Sequence, residues 1–221
     1  MTAAELPDSQ LPDSQLPGSR ADEAPTAGVT MPEPGDDPLA AMVSWLAVDP
    51  LAPPLGVLAT VDPDGTPQCR HLLVSGVTPD GPTFHTDSRS QKVVDLAANP
   101  RATLVVLSAD RTHQLTVTGL AAPTDDREQL RTYRDRSPYL KLLAWTNGPA
   151  AAALPPAGRR EVWAEAVTRH GPTPQDPPDT WTGYRLRPET VTFWRAEPDA
   201  PSHRRRFHLR SGGWLAEELP G

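Results

Sequence analysis

Cationic and hydroxyl side chains gather around residues 86–92 in a pattern that suits a phosphate group. Arg70 falls in one predicted strand, Thr86 ends another, and Ser90 and Lys92 open a predicted helix. The free N–H groups at a helix N-terminus and the helix dipole both favour an anion. Arginine binds phosphate through two parallel hydrogen bonds, whereas lysine acts as a point charge. The segment therefore predicts an anion site; the alternative is a solvated helix start with surface cations.

Hydrophobic patterning predicts the elements that must position these residues. Helices are predicted to begin at Pro38 and to span residues 88–99, 124–145 and 159–169, and strands to span residues 56–62, 67–76, 83–86, 102–108, 113–121, 183–187, 191–195, 206–210 and 213–217. The first five strands suggest an antiparallel meander with one inserted helix, which closes into a small barrel.

Charge divides the chain into two parts. The net charge is −7, and residues 1–37, with eight acidic side chains and one basic one, carry all of it. This segment is polar and rich in proline, so we expect a disordered tail followed by one folded domain over residues 38–221. The folded part has no excess of basic residues, which argues against a nucleic-acid partner.

Several classes of protein and site are excluded by composition. The sequence has no apolar run long enough to span a bilayer and no basic, apolar N-terminal leader, so we expect a cytoplasmic protein without a membrane partner. A single cysteine, Cys69, excludes an intramolecular disulfide and any zinc site built from several cysteines. No metal site is predicted.

Short motifs in a fixed order resemble the pyridoxamine 5'-phosphate oxidase family. They are Arg70, Phe84–Asp87, Ser90–Lys92, Leu96–Arg101, Gln114, Ala144-Trp145, Gly183–Arg185, Phe193-Trp194 and the closing segment 212–220. The resemblance covers residues 38–221. It implies a mainly β fold with peripheral helices, the FMN-binding split barrel of antiparallel strands. It also implies a homodimer, with the C-terminal hairpin region in dimerisation and FMN held between the subunits.

The resemblance assigns cofactor contacts to particular positions. Arg70 and Lys92 match residues on the FMN phosphate, and Gln114 matches a glutamine on the isoalloxazine ring. The remaining cofactor positions are His85, Thr86, Ser90, Gln91, Trp194 and Arg205. The family's flavin-facing Gln-Ser pair is replaced here by Pro149-Ala150, which removes two polar contacts.

The substrate side departs further from the family pattern. The resemblance places substrate on Tyr133, Arg136 and His203, and it gives His203 and Arg205 the catalytic task of orienting the reacting carbon. Three further positions lose the family's residue: serine replaces lysine at Ser75, leucine replaces serine at Leu140, and proline replaces arginine at Pro201. Loss of two cations is expected to weaken the binding of a substrate phosphate, because hydrogen bonds to charged groups are among the stronger ones.

The implied activity is FMN-dependent oxidation of pyridoxamine or pyridoxine 5'-phosphate, or of a related small amine or alcohol. Hydride passes to the flavin and the electrons then pass to oxygen. Two alternatives stay open. One is a flavin- or F420-dependent reductase of another small molecule on the same barrel, and the other is a non-enzymatic flavin-binding protein.

Overall fold

The computed structural model describes residues 29–220. Its strands are β1 (Leu55–Val61), β2 (Pro67–Thr78), β3 (Gly81–Asp87), β4 (Arg101–Leu107), β5 (His113–Pro123), β6 (Trp181–Arg195), β7 (His203–Arg210) and β8 (Gly213–Leu219). Its helices are α1 (Pro38–Leu46), α2 (Gln91–Ala98), α3 (Asp126–Asp135), α4 (Pro138–Thr146), α5 (Pro149–Ala152) and α6 (Pro156–His170).

Six of the strands close into an antiparallel barrel. The hydrogen-bonded order is β3-β2-β1-β4-β5-β6, and pairing of β3 with β6 completes the ring. Strands β7 and β8 continue the sheet outward from β6. The predicted mainly β barrel with peripheral helices is therefore confirmed.

The core lies inside the barrel because every second residue of the strands points inward. Leu58 on β1, Leu104 on β4 and Val117 on β5 are almost fully buried. Helix α1 adds Met42 and Trp45 to this cluster. It begins as predicted, with the Asp37 carboxylate accepting the N–H of Leu39 and Pro38 in the first turn. One continuous core thus fixes the strands that carry the candidate site.

The barrel is not the predicted meander. Strand β4 pairs with β1 instead of with β3, and helix α2 lies on the connection between β3 and β4. A meander pairs each strand with the next in sequence, and nothing in the local pattern signals this longer-range pairing. If β4 paired with β3, both edges of β3 would be occupied by β2 and β4. Because β4 pairs with β1 instead, β3 can pair with β6 and close the barrel.

Two predicted element boundaries also differ. The predicted strands 183–187 and 191–195 form one strand, β6, because a register shift opposite Gly119 accommodates Pro188, which has no N–H to donate. The predicted helix 124–145 is two helices, α3 and α4. Ser137 separates them, and its hydroxyl caps α4 by accepting the N–H of Leu140.

The folded domain begins earlier than the predicted residue 38. Met31 is 3% exposed, and the indole N–H of Trp45 donates to the carbonyl of Thr30 at 3.2 Å. Arg205 donates to the carbonyl of Pro32. The composition of residues 1–37 as a whole is acidic and rich in proline, and it does not reveal these few residues that anchor the chain to the barrel. The predicted disorder of residues 1–28 lies outside the described residues.

Candidate functional site

A cleft of about 240 Å³ lies between the barrel and helix α4. Strands β2 and β3, the start of α2 and one side of α4 form its walls. The predicted site residues that line it are His85, Thr86, Ser90, Lys92 and Arg136. Apolar side chains from α4 and Trp181 of β6 form the rest of the wall. The cleft therefore combines a polar end, at the start of α2, with an apolar side.

The polar end is the predicted anion site. The Lys92 ammonium donates to the Thr86 hydroxyl at 3.0 Å, and the Thr86 and Ser90 hydroxyls are 3.2 Å apart. Ser90 precedes the first residue of α2, yet its hydroxyl makes no capping hydrogen bond. Burial, with the nearby positive charge of Arg70, lowers the pKa of Lys92. A partly desolvated ammonium, two hydroxyls and a helix N-terminus fit a phosphate group.

Arg70 lies beside this cluster but is already engaged. Its guanidinium donates to the Asp95 carboxylate at 2.9 Å and to the Thr60 hydroxyl at 2.6 Å. Asp95 is completely buried and also accepts hydrogen bonds from Thr60 and from Gln91. Burial alone raises the pKa of Asp95, but these hydrogen bonds outweigh it and the pKa lies below its ordinary value. Arg70 and Gln91 thus bind a buried carboxylate and do not line the cleft.

Arg136, Trp181 and His85 form a stack along one wall. The guanidinium of Arg136 lies 4.8 Å from the Trp181 ring centre, and the His85 ring stacks on the same indole at 4.9 Å. Burial lowers the pKa of Arg136 to about 10, so the side chain is still charged at neutral pH. Burial and the charge of Arg136 lower the pKa of His85 to about 3, which keeps the imidazole neutral. The wall therefore presents one cation held on an aromatic face.

The back of this stack is tightly packed. A methyl group added at Gly183 would lie 2.5 Å from His85 Nε2 and 2.4 Å from the Thr124 hydroxyl. Both ring nitrogens of His85 and the Thr124 hydroxyl are buried and make no hydrogen bond within the described residues. Glycine is therefore required at position 183 for His85 to reach Trp181.

Tyr133, a predicted substrate ligand, lies behind the cleft. Its side chain is fully buried, and its hydroxyl donates to the carbonyl of Lys141 and accepts the indole N–H of Trp145, each at 3.1 Å. Burial raises the pKa of Tyr133. The hydroxyl joins α3 to α4 and is occupied, so the structure does not support a direct contact with substrate.

Replacing Tyr133 with phenylalanine is expected to lower the free energy of unfolding by about 1 kcal/mol, since two buried hydrogen bonds lose a partner. Ligand affinity in the cleft should stay within about twofold, because the hydroxyl does not reach it. Urea unfolding and a ligand titration check the two effects. A large loss of affinity with unchanged stability would restore Tyr133 as a ligand.

The other predicted residues lie on different parts of the sheet. Gln114 of β5 and Trp194 of β6 are cross-strand neighbours, and neither lines the cleft. His203 and Arg205 of β7 both bind Glu218 of β8. Arg205 is 6% exposed and also pairs with Glu33 at 3.1 Å. Within one chain, the polar end of the cleft and Arg136 therefore lie together. Four other predicted site residues lie elsewhere on the sheet: Gln114, Trp194, His203 and Arg205.

Sequence reasoning missed two residues that organise the site. Asp95 follows Gln91 by four positions on α2, which is the spacing of helix neighbours and could have indicated their contact. Trp181 lies just before the predicted start of its strand, and no local signal shows that it faces Arg136.

Within residues 29–220, no helix is long and apolar enough to cross a membrane, and no three metal-ligating side chains converge.

Comparison with known proteins gives consistent results. A family model described as pyridoxamine 5'-phosphate oxidase matches residues 42–195. A protein named pyridoxine/pyridoxamine 5'-phosphate oxidase from a Nocardioides species is 33% identical over 202 residues, 90% of this chain and 94% of that protein. One of the same name from Cupriavidus metallidurans is 33% identical and covers 83% of this chain and 88% of its own.

Solved structures share the fold. PhzG from Burkholderia lata superposes with a TM-score of 0.69 at 24% identity, covering 83% of this chain and 92% of its own. A pyridoxamine 5'-phosphate oxidase-related, FMN-binding protein from Nostoc punctiforme has a TM-score of 0.60 at 22% identity, covering 76% and 88%. These likenesses establish the split-barrel architecture.

Proposed function

The chain belongs to the pyridoxamine 5'-phosphate oxidase family, and from that premise we propose that it is an FMN-dependent oxidoreductase acting on a small anionic amine or alcohol. The observation that carries the proposal is the shared cleft. Lys92, Thr86 and Ser90 form an anion site at one end, and Arg136 provides a second cation on its wall. Two separate positive centres suit a cofactor phosphate and an anionic substrate held side by side.

The residues at the polar end fit the FMN phosphate. Lys92 supplies the charge, and Thr86 and Ser90 supply hydroxyl donors next to the α2 N-terminus. Bound FMN supplies a two-electron acceptor that takes a hydride from the substrate carbon. Arg70 supports the site indirectly, because its ion pair with Asp95 holds β2 against α2, the helix that carries Lys92.

Arg136 holds the substrate in this proposal. Its guanidinium lies over Trp181 and has no partner within the described residues, so its N–H groups are available to donate two parallel hydrogen bonds to an anion. Leu140 and Leu143 line the same cleft and exclude water from the apolar part of the bound substrate. His85 is neutral and closes the wall behind Trp181. The chain's contribution to the reaction is thus placement of the donor carbon and exclusion of solvent.

A homodimer is the proposed functional unit. Gln114 and Trp194 lie outside the cleft of their own chain, so a second copy is needed if they contact the flavin. Strands β4 and β5 leave large apolar side chains accessible: Leu107, which pairs with Gln114, is 45% exposed, and Leu120, at the other end of β5, is 37% exposed. Burial of such side chains against a second copy supports dimer formation.

The test is flavin reduction in the FMN-loaded protein without oxygen. The donors are pyridoxamine 5'-phosphate and pyridoxine 5'-phosphate, named in the relatives' activity, and 3-(aminomethyl)benzoate and 3-(hydroxymethyl)benzoate, which carry a carboxylate instead. We expect at least one donor to bleach the flavin absorption band, and oxygen to restore it with formation of peroxide. Bound flavin that dithionite reduces but no donor bleaches would overturn the proposal.

A further inference from the structure

The four cations around the cleft are not equivalent, because two of them already have an acidic partner. Arg70 pairs with the buried Asp95 at 2.9 Å, and Arg89 pairs with Asp87 at 2.6 Å. Within residues 29–220, the guanidinium of Arg136 makes no hydrogen bond and no ion pair; only its backbone N–H donates, to the carbonyl of Tyr133. Lys92 belongs to the cofactor end in the proposed function. Arg136 is therefore the cation of the cleft wall that is left for a substrate.

The guanidinium of Arg136 suits a planar anion of one charge. Its central carbon lies over the Trp181 ring, 4.8 Å from the ring centre, and its N–H groups have no partner within the described residues. Two parallel hydrogen bonds from these groups match the two oxygens of a carboxylate. Because the group is half-buried and unpaired, a bound anion of equal and opposite charge completes the site.

A phosphate monoester does not match these surroundings. It carries between one and a half and two negative charges and three outer oxygens at neutral pH. Leu140 and Leu143 line the cleft with Arg136 and offer no side-chain donor. The nearby Ser137 hydroxyl accepts the N–H of Leu140 as a helix cap. A third phosphate oxygen facing these leucines would lose its hydration without gaining a partner.

A second cavity, which also contacts Arg136, likewise favours a ligand with a single negative charge. This cavity, of about 180 Å³, is lined by Arg136 together with Ser75 and Thr132, which are uncharged. Of its acidic lining residues, Glu128 is paired with Arg185 at 2.7 Å, whereas the exposed Asp135 has no ion pair within the described residues and disfavours a second negative charge. The cation at its edge, Arg131, is exposed to solvent. The buried Ser75 hydroxyl makes no hydrogen bond within the described chain and offers an uncharged donor.

We infer that the substrate of this cleft carries a carboxylate on an aromatic ring, held by Arg136, and not a phosphate monoester. The inference rests on the proposed function and narrows its substrate class. It assigns the ring to the apolar wall of Leu140, Leu143 and Trp181, and the carboxylate to the N–H edge of Arg136.

Two unreactive probes with the same ring test the inference. 2-Naphthoate and 2-naphthyl phosphate are titrated into the FMN-loaded protein at pH 8, with binding followed by the change in flavin absorption. We expect the carboxylate to bind at least about tenfold more tightly than the phosphate. Replacing Arg136 with leucine should weaken naphthoate binding by about tenfold or more, and lysine at the same position should restore part of the affinity.

A gain of phosphate binding provides the reverse test. Ser75→Lys places a second cation beside the Arg136 cavity and should tighten binding of naphthyl phosphate by about tenfold. Ser75→Met, of similar length and without charge, is the matched control and should not tighten that binding. Equal or tighter binding of the phosphate to the unaltered protein overturns the inference, as does binding of naphthoate that is indifferent to Arg136→Leu.

The outcomes separate this inference from the proposed function. Flavin reduction by pyridoxamine 5'-phosphate but not by the carboxylated donors would support the proposed function and overturn the carboxylate assignment. Failure to retain FMN, measured by filtration before any probe is added, would overturn the proposed function itself.

Discussion

Replacing Lys92 with methionine is expected to weaken FMN binding by roughly 10- to 100-fold. Methionine keeps the length and apolar stem of the side chain and removes the ammonium that donates to Thr86. A hydrogen bond to a charged group contributes about 1.5–3 kcal/mol, and each 1.4 kcal/mol corresponds to a factor of ten in the dissociation constant. The measurement is an equilibrium titration of FMN, followed by quenching of its fluorescence.

Arg101→Met provides the matched control for this experiment. Arg101 is 66% exposed and pairs with Glu189 on the surface, so the variant removes the same charge from the protein away from the cleft. We expect its FMN affinity to stay within about twofold of that of the unaltered protein, because solvent screens the lost charge. An equal loss in both variants would mean that overall charge, and not the Lys92 contact, determines the affinity.

Replacing Arg70 with methionine is expected to lower the free energy of unfolding by about 3 kcal/mol. The variant leaves the fully buried Asp95 carboxylate without a counter-charge. Breaking a buried ion pair costs about 3–5 kcal/mol, and the lower figure applies because the Arg70 side chain is 21% exposed. Urea unfolding of the FMN-free protein gives the measurement, and Arg101→Met should change stability by less than about 1 kcal/mol.

The pH dependence of this effect follows from the lowered pKa of Asp95. A carboxyl group whose pKa is lower in the folded than in the unfolded state stabilises the fold at pH values above its unfolded-state pKa, which for an aspartate is 3.8. That contribution disappears as the pH falls through the folded-state pKa. In Arg70→Met the buried carboxyl protonates more readily, so the stability difference between the two proteins should be largest at neutral pH and should narrow in acid. A difference that stays constant down to pH 3 would exclude Asp95 as its source.

The ion pair with Asp95 gives Arg70 a structural role that the resemblance did not predict. The resemblance places Arg70 on the FMN phosphate, whereas two of its nitrogens donate to Asp95 and Thr60 within the chain. Loss of flavin in an Arg70 variant therefore has to be separated from loss of folded protein. Lys92 provides the cleaner measure of the phosphate site, because its ammonium donates to an uncharged hydroxyl of the same cleft.

Local sequence determined the strand and helix that form the anion site. The turn residues 79–81 predicted a hairpin onto the strand that ends near Thr86, and the residues from Ser88 onward predicted the helix that carries Lys92. Both signals act over a few residues, since a tight turn fixes the strand that follows it and a cap binds the first turn of its own helix. The motifs in their order also predicted the split barrel, which the structure confirms.

Only the tertiary structure decided which charged groups are available. Arg205 pairs with Glu33, 172 positions away, and Arg70 with Asp95, 25 positions away, so neither pairing has a local signature. Tyr133 and Arg136 are three residues apart, yet Tyr133 is buried between helices while Arg136 reaches the cleft. A free cation and a neutralised one look alike in a sequence, because burial and ion pairing depend on contacts that form only when distant segments pack together.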